Sequence, residues 1–266
     1  MGVCLKPPSF LKPTSFLKPL SALSGPVQAL CFDIDETLTT HGKLTAEAYT
    51  ALWRAHDAGI ACIPVTGRPA GWCDHIARMW PVRGVIGENG AFAMFHDGKK
   101  LRRIDVLSPA TRKKNREKLD ALAKAIVRAV KGSGIASDQS FRDYDLAIDF
   151  CEDVKPLAQY DIARIVSFFE RAGAEAKVSS IHVNGWFGKY DKRSMTERFL
   201  SEIVGCREKD ALFVGDSPND QPMFEAFSRS VGVANVRKFA LTHPPKFVTK
   251  KESGAGFAEL VRRILS

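Results

Sequence analysis

Three polar side chains alternate just after an apolar run in the first quarter of the chain. Asp33, Asp35 and Thr37 follow the run Ala-Leu-Cys-Phe, and a run without a polar face is typical of a strand buried on both sides. Two carboxylates this close repel each other at the edge of a core, and a bound cation relieves the repulsion. Since carboxylate oxygens are hard ligands, the pattern indicates Mg²⁺ next to a phosphate group.

Other polar groups stand at the ends of predicted strands or at the start of a predicted helix. Thr66 and Gly67 come directly after a second apolar run. Lys192 adjoins the start of a helix, and Asp216 and Asp220 follow another buried strand. Because ligands of open α/β sheets bind beyond the carboxyl ends of the strands, we expect these groups to share one site with the first pair of carboxylates.

The elements that must position these groups predict an α/β fold. Strands and helices alternate in 26–91 and again in 186–266, which indicates a doubly wound, Rossmann-like parallel sheet, with 85–87 as its third strand. The intervening residues 92–185 contain a hairpin, a long basic helix and a single strand over 174–184. This change of pattern predicts an inserted α+β cap domain.

The first 25 residues differ from the rest of the chain. Leu-Lys-Pro occurs three times between positions 5 and 19. A proline in every repeat excludes a helix, so the sequence predicts a disordered tail over 1–25.

Composition narrows the class of protein. The 266 residues are 45% hydrophobic, and no apolar run approaches the length that spans a membrane. The six cysteines form no C-x-x-C pair, which argues against zinc and for a reducing, cytoplasmic location.

The net charge of +9 includes basic clusters at 99–103 and 112–116. These clusters are typical of a solvated surface, and the alternative is a positive rim that attracts small anions. No aromatic residues interleave with them, so we expect no nucleic-acid partner.

The polar segments, taken in order, resemble the motifs of the haloacid dehalogenase-like (HAD) superfamily of phosphatases and phosphotransferases. Its D-x-D-x-T motif is matched by Asp33, Asp35 and Thr37, and its second motif by Thr66. The chain departs from the family at Glu36, where many relatives carry glycine.

The third and fourth HAD motifs are matched in the last third of the chain. Lys192 matches the third-motif lysine that opens a helix, with Lys189 as its rival, and 215–220 match G-D-x-x-N-D. The predicted cap lies between the second and third motifs, an arrangement similar to subclass IIB, which includes Cof-like sugar phosphatases.

The resemblance implies a set of catalytic roles. Asp33 would be the nucleophile that forms an aspartyl-phosphate, and Asp35 the general acid and then the general base. Mg²⁺ would be held by Asp33, Asp216 and the backbone carbonyl of Asp35. Thr37 and Asp220 would support these groups, with Asp220 orienting Lys192 or a metal-bound water. The phosphate oxygens would be held by Thr66, Gly67, Lys192 and Asn219.

The rest of the substrate needs further contacts. Ser180, His182 and Asn184 share one face of the last predicted cap strand. That face points into the cleft or, equally well, forms the polar outer side of the strand. The residues proposed for specificity are Arg68, Asn89, Arg142, His182 and Asn184.

The sequence favours a Mg²⁺-dependent phosphatase that acts on a small phosphorylated metabolite, with a sugar phosphate as the expected substrate. A phosphomutase using the same aspartyl-phosphate is the alternative, because the motifs do not distinguish water from a sugar as the final acceptor. A third hypothesis is a non-catalytic module that binds a polyanion on the same scaffold.

Overall fold

The computed structural model describes residues 17–179 and 181–266. In chain order the strands are β1 (Lys18–Pro19), β2 (Ala29–Phe32), β3 (Ala61–Pro64), β4 (Val85–Gly87), β5 (Phe92–His96), β6 (Leu101–Asp105), β7 (Gly134–Ile135), β8 (Leu146–Asp149), β9 (Glu175–Val178), β10 (His182–Trp186), β11 (Ala211–Gly215), β12 (Ser230–Gly232) and β13 (Phe247–Val248). The helices are α1 (Ala46–Asp57), α2 (Ala70–Met79), α3 (Pro109–Ala129), α4 (Gln159–Arg171), α5 (Lys192–Phe199), α6 (Gln221–Ala226) and α7 (Ser253–Ile264).

The chain forms two compact units. The first contains the described residues up to Cys62 together with Leu200–Ser266, and the second contains Ile63–Phe199. The predicted cap, 92–185, falls within the second unit. Its existence as a domain separate from the rest of that unit stays a prediction.

A six-stranded sheet has the order β1-β13-β12-β11-β2-β3. The pairs from β1 to β2 are parallel, and β11 aligns with β2 so that Val214 lies opposite Phe32. Side chains that follow β2 and β11 therefore leave the sheet at the same end. This register brings Asp33 and Asp216 close together.

The core of the first unit is aromatic. The Phe32 ring lies 5.1 Å from that of Phe257 on α7, and α1 packs against α7. Thr45 caps the start of α1, because its Oγ1 accepts a hydrogen bond of 3.3 Å from Ala48 N. Gly59 follows the helix with a φ of 81°, a left-handed conformation in which glycine has no Cβ penalty.

The end of the predicted disordered tail is ordered. Residues 1–16 lie outside the described part of the chain, but Lys18–Pro19 form β1 and pair with β13. Proline is tolerated there because β1 is an edge strand, where one missing N–H breaks no interior ladder. Leu20 and Leu23 are buried, so burial of these side chains stabilises a segment that the proline pattern had assigned to the tail.

The second unit contains two antiparallel sheets, β7-β8-β10-β9 and β4-β5-β6. Side chains from the first sheet and from α3 and α4 form its apolar core, which includes Leu119, Ile148, Ile165, Phe169 and Val183.

Two predicted strands differ in the structure. The expected single strand over 174–184 is the hairpin β9–β10, whose turn is closed by Ser179 Oγ as acceptor from His182 N at 2.9 Å. The expected third strand of the parallel core, β4, pairs with β5 instead. Its Ile86 forms only an isolated parallel bridge with Val65, which follows β3. Hydrogen bonds to the following hairpin thus take up most of the β4 backbone.

Within the described residues, 17–179 and 181–266, no helix combines the length and apolar character needed to cross a membrane.

Candidate active site

Three buried carboxylates meet in the first unit. Asp33 follows β2, and its N–H donates to Val214 O at 3.0 Å, which fixes it beside the end of β11. Single carboxylate oxygens of Asp33, Asp216 and Asp220 lie within 4.8 Å of one another. The three residues are only 4%, 5% and 0% exposed. Parallel pairing of β2 and β11 therefore builds an acidic cluster, defined as these three aspartates.

The chemistry of the acidic cluster suits a hard divalent cation. All three donor side chains are carboxylates, the ligand type that Mg²⁺ and Ca²⁺ prefer. Close burial of three negative charges is unfavourable without a positive partner. These residues could hold a metal ion, and Asp35, whose carbonyl is the other predicted ligand, is half-buried in the loop that follows Asp33.

Hydrogen bonds orient the Asp216 carboxylate. Thr37 Oγ1 donates to Asp216 Oδ1 at 3.3 Å, and Asn235 Nδ2 donates to Asp216 Oδ2 at 3.2 Å. Thr37, predicted to support the site, is fully buried beside it. Asn235, on a short 3-10 turn after β12, was not predicted.

The loop after β11 folds back on its own backbone. Asp220 Oδ2 accepts hydrogen bonds from Asp216 N at 3.1 Å and Ser217 N at 3.4 Å. A Cβ on Gly215 would lie 2.4 Å from the same oxygen, so only glycine allows this close approach. Asn219 Oδ1 accepts from Ser217 Oγ at 2.5 Å. The predicted roles of Asp220 toward Lys192 and of Asn219 toward phosphate stay predictions.

In the second unit, Thr66 and Gly67 form a tight loop after β3. Thr66 Oγ1 accepts from Arg68 N at 3.0 Å, and Thr66 O accepts from Asn89 N at 3.1 Å. A Cβ on Gly67 would lie 3.2 Å from Asn89 Oδ1. The structure thus brings together the predicted residues Thr66, Gly67 and Asn89.

The turn at Glu88–Gly90 has three successive left-handed residues, with φ of 42°, 57° and 98°. A Cβ on Gly90 would lie 2.0 Å from Asp191 O, so the turn packs directly against the residue before α5. Lys192, the first residue of α5, is 3% exposed, whereas Lys189 is exposed. The start of the helix and the burial both favour Lys192 over its rival.

Glu88 is fully buried, and hydrogen bonds to its carboxylate join two loops. Its carboxylate accepts hydrogen bonds from Ala70 N, Asp143 N, Tyr144 N and Asp145 N at 2.7–3.1 Å. Burial raises the pKa of the Glu88 carboxyl above its usual range, and the charge of Asp145 adds to the rise, while the backbone donors oppose it.

Arg142, predicted to grip the substrate, has an extensive set of partners within its own unit. Its guanidinium pairs with Asp138 at 2.9 Å and Asp145 at 3.0 Å, and Nη1 donates to Gly67 O at 3.1 Å. Its side chain is 2% exposed. Burial opposes the charged form, yet Asp145 and Asp138 raise the pKa of Arg142 overall. A role toward substrate stays a prediction.

Three other predicted specificity residues contact charged side chains of the second unit. Asn184 Nδ2 donates to Asp145 Oδ2 at 2.9 Å. His182 Nε2 lies 2.9 Å from Glu152 Oε2, and burial followed by the charge of Arg142 lowers the pKa of this imidazole. Arg68 Nη1 lies 4.0 Å from Asp138 Oδ2, and its guanidinium lies 4.3 Å above the Trp72 ring. Ser180, which was predicted to share a strand face with His182 and Asn184, lies outside the described residues.

Comparison with known proteins decides the family. The family described as haloacid dehalogenase-like hydrolase matches residues 30–137 and 187–261. These ranges include all three aspartates of the acidic cluster. The chain belongs to this family. The predicted recognition of a HAD-like hydrolase is confirmed.

Similar proteins cover nearly the whole HAD chain. It is 29% identical over 245 residues to a phosphoglycolate phosphatase of Methanothermobacter thermautotrophicus, an alignment that covers 90% of this chain and 99% of the relative. A crystal structure from Thermoplasma acidophilum matches with a TM-score of 0.72 at 18% identity, over 91% of this chain and 99% of that one.

A HAD subclass IIB sugar phosphatase matches with a TM-score of 0.59 at 17% identity, over 84% of this chain and 93% of the other. These structural similarities show the fold, and the predicted α/β class with a parallel-sheet core is confirmed. The inserted cap stays a prediction.

The prediction from sequence missed the contacts that hold the HAD motifs in place. Asn235 and Ser253 lie in segments without a catalytic pattern, and no structural role was predicted for Glu88. For Glu88, the signal was an acidic residue between a buried strand and Asn-Gly. Such a residue, flanked by apolar segments, needs several donors when it is buried.

Proposed function

We propose that this HAD protein is a Mg²⁺-dependent phosphatase that hydrolyses a small phosphorylated metabolite through an aspartyl-phosphate on Asp33. The observation that carries the proposal is the acidic cluster, in which Asp33 stands beside Asp216 and Asp220 with carboxylate oxygens within 4.8 Å. A nucleophilic carboxylate next to two further carboxylates is suited to attack phosphorus only where a cation balances the charge.

The proposed reaction has two steps on the chain's own groups. In the first, an oxygen of Asp33 attacks phosphorus, and the bond between phosphorus and the leaving oxygen breaks as Asp35 donates a proton to that oxygen. In the second, Asp35 takes a proton from water, the water oxygen attacks phosphorus, and the Asp33 carboxylate is released with inorganic phosphate. The covalent intermediate divides one difficult hydrolysis into two easier steps, and the reactive acyl phosphate favours the second.

The remaining predicted residues have supporting roles in this proposal. Asp33, Asp216 and the Asp35 carbonyl would hold Mg²⁺, which supplies positive charge that offsets the carboxylates and the phosphate. Thr66, Gly67, Lys192 and Asn219 are proposed to bind phosphate oxygens, since donors fixed in advance stabilise charge that develops in the transition state.

The class of the enzyme is supported by its relatives. The family match and the phosphatase relatives confirm the predicted phosphoric monoester hydrolase. Water is therefore favoured over a bound sugar as the final phosphate acceptor, which makes the phosphomutase the weaker alternative. For the substrate, the relatives indicate two chemical classes: a phosphorylated hydroxy acid, as in phosphoglycolate, and a sugar phosphate, as we predicted from the sequence.

The test is release of inorganic phosphate from phosphoglycolate and from a panel of sugar monophosphates, with and without Mg²⁺. We expect turnover that requires the metal, is lost in excess EDTA and is abolished in Asp33→Asn. The control Asp57→Asn changes an exposed aspartate on α1 and should leave the rate unchanged. Full metal-dependent activity of Asp33→Asn would show that the nucleophile is wrong, and strict dependence on a sugar bisphosphate would favour the mutase.

A further inference from the structure

We propose that Asn235 is a positioning residue that fixes Asp216 and the loop after Asp33 in the arrangement that binds Mg²⁺. This inference rests on the proposed function for the assignment of the acidic cluster to that metal. Asn235 is 5% exposed and lies on a short turn that carries none of the four motifs.

The amide of Asn235 joins two segments of the site. Nδ2 donates to Asp216 Oδ2 at 3.2 Å and to the backbone oxygen of Glu36 at 3.0 Å. Oδ1 accepts from Ser253 N at 3.0 Å. Because this N–H can only donate, it must face the amide oxygen, and the NH₂ group is left to face Asp216. The start of α7 therefore sets which way the amide points.

The loop after Asp33 also contacts the start of α7. Glu36 has a φ of 56°, and its carboxylate accepts hydrogen bonds from Ser253 Oγ at 3.1 Å and Gly42 N at 3.3 Å. Gly254 N donates to Thr40 Oγ1 at 3.2 Å, and a Cβ on Gly254 would lie 2.7 Å from Leu38 O. Side-chain and backbone contacts thus hold the loop that carries Asp35 against the start of α7.

The chemistry of the donors matters for the metal. Thr37 and Asn235 are neutral, so their hydrogen bonds orient the Asp216 carboxylate without neutralising its charge. The oriented carboxylate keeps its attraction for a cation. Because its orientation is already fixed, less reorganisation of the Asp216 side chain is needed when the cation binds. Partners of metal ligands typically contribute roughly ten- to hundredfold to metal affinity.

The experiment measures Mg²⁺ binding to the metal-free full chain by titration calorimetry. For Asn235→Ala we expect a dissociation constant roughly ten- to hundredfold weaker than that of the unmodified protein. Asp216→Ala should lose binding. The matched control is Asn115→Ala, which removes an amide that donates to Phe187 O at 3.2 Å in the second unit and should leave the Mg²⁺ affinity unchanged.

Enzyme kinetics provide a second measurement on the same variant. At limiting Mg²⁺ the kcat of Asn235→Ala should fall while the KM for substrate stays the same, and higher Mg²⁺ should restore much of the loss. A merely structural role would lower activity at every Mg²⁺ concentration. If the alanine variant does not fold, Asn235→Ser, which keeps a small polar group, takes its place.

An unchanged Mg²⁺ dissociation constant in a folded Asn235 variant would overturn the proposal. The same holds if the unmodified protein does not bind Mg²⁺. The binding titration decides the inference even if no tested substrate releases phosphate, so failure of the proposed activity and failure of this proposal are told apart.

Discussion

Arg142 donates from Nη1 to the carbonyl oxygen of Gly67 at 3.1 Å, and the same guanidinium pairs with Asp138 and Asp145. The side chain of Asp145 is fully buried, so its charge depends on Arg142 for compensation. The arginine therefore links the loop that follows Thr66 to a buried carboxylate.

Replacement of Arg142 by alanine should be strongly destabilising. Removing one partner of a buried ion pair leaves an uncompensated charge, which costs about 3–5 kcal/mol of unfolding free energy. Urea denaturation measures the loss. Arg78→Ala, which breaks an exposed pair with Asp74, is the control and should cost far less. Equal losses in the two variants would mean that the Asp145 charge does not depend on Arg142.

Glu36 allows a test of backbone strain, because its φ of 56° is unfavourable for any residue with a Cβ. Glu36→Ala and Glu36→Gly both lose the hydrogen bond to Ser253 Oγ. Only glycine also relieves the strain, so we expect Glu36→Gly to be more stable than Glu36→Ala by about 1 kcal/mol in urea denaturation.

A helical site provides the opposite expectation for the same pair of substitutions. Glu117 is exposed in the middle of α3, where glycine is less stable than alanine by about 1 kcal/mol. Glu117→Gly should therefore be less stable than Glu117→Ala. The same order at both positions would argue that the conformation of Glu36 carries no strain.

Lys192 and Lys189 can be separated by kinetics. Lys192→Ala should lower kcat by roughly a hundred- to a thousandfold, the usual effect of removing a donor that stabilises transition-state charge. Lys189→Ala should retain nearly full activity, since Lys189 is exposed and precedes the helix. Thermal unfolding of both variants checks that they are folded. The reverse pattern of activity loss would assign the third motif to Lys189.

His182 makes stability depend on pH. Its pKa is lowered from 6.5, first by burial and then by Arg142, although Glu152, Asp138 and Asp149 oppose the shift. The unfolded chain then takes up the proton before the folded one does. Stability from the neutral imidazole is present above pH 6.5 and is lost as the pH falls below it.

The measurement for His182 is the free energy of unfolding between pH 5 and 8 for the unmodified protein and for His182→Gln. The glutamine variant should lose less stability toward acid pH. Parallel pH profiles for the two proteins would contradict a lowered pKa at this site.

Most of the fold could be predicted from regular patterns in the sequence. The apolar runs of β2 and β11 and the cap residue Thr45 each specify local structure, and parallel pairing then brings Asp33 to Asp216 without any further information. The β9–β10 hairpin was missed because its turn at Ser179 contains no glycine, proline, asparagine or aspartate. Serine, which the turn does contain, marks a turn more weakly than those residues.

The partners of individual polar groups were harder to predict. A sequence does not show whether a buried arginine such as Arg142 meets substrate or acidic neighbours, because its neighbours come from distant parts of the chain. Asn235 was missed for the same reason: its contacts to Glu36 and Ser253 exist only once the sheet is assembled.

The bond from Thr37 to Asp216 spans 179 positions of the sequence, and it forms only after β11 has added to β2. During synthesis, a ribosome-bound chain that ends before residue 211 has only one of the three aspartates of the cluster. If Mg²⁺ binds as we propose, metal uptake would therefore come late in the life of the nascent polypeptide, and the ion would act as a ligand that selects finished molecules over partly made ones.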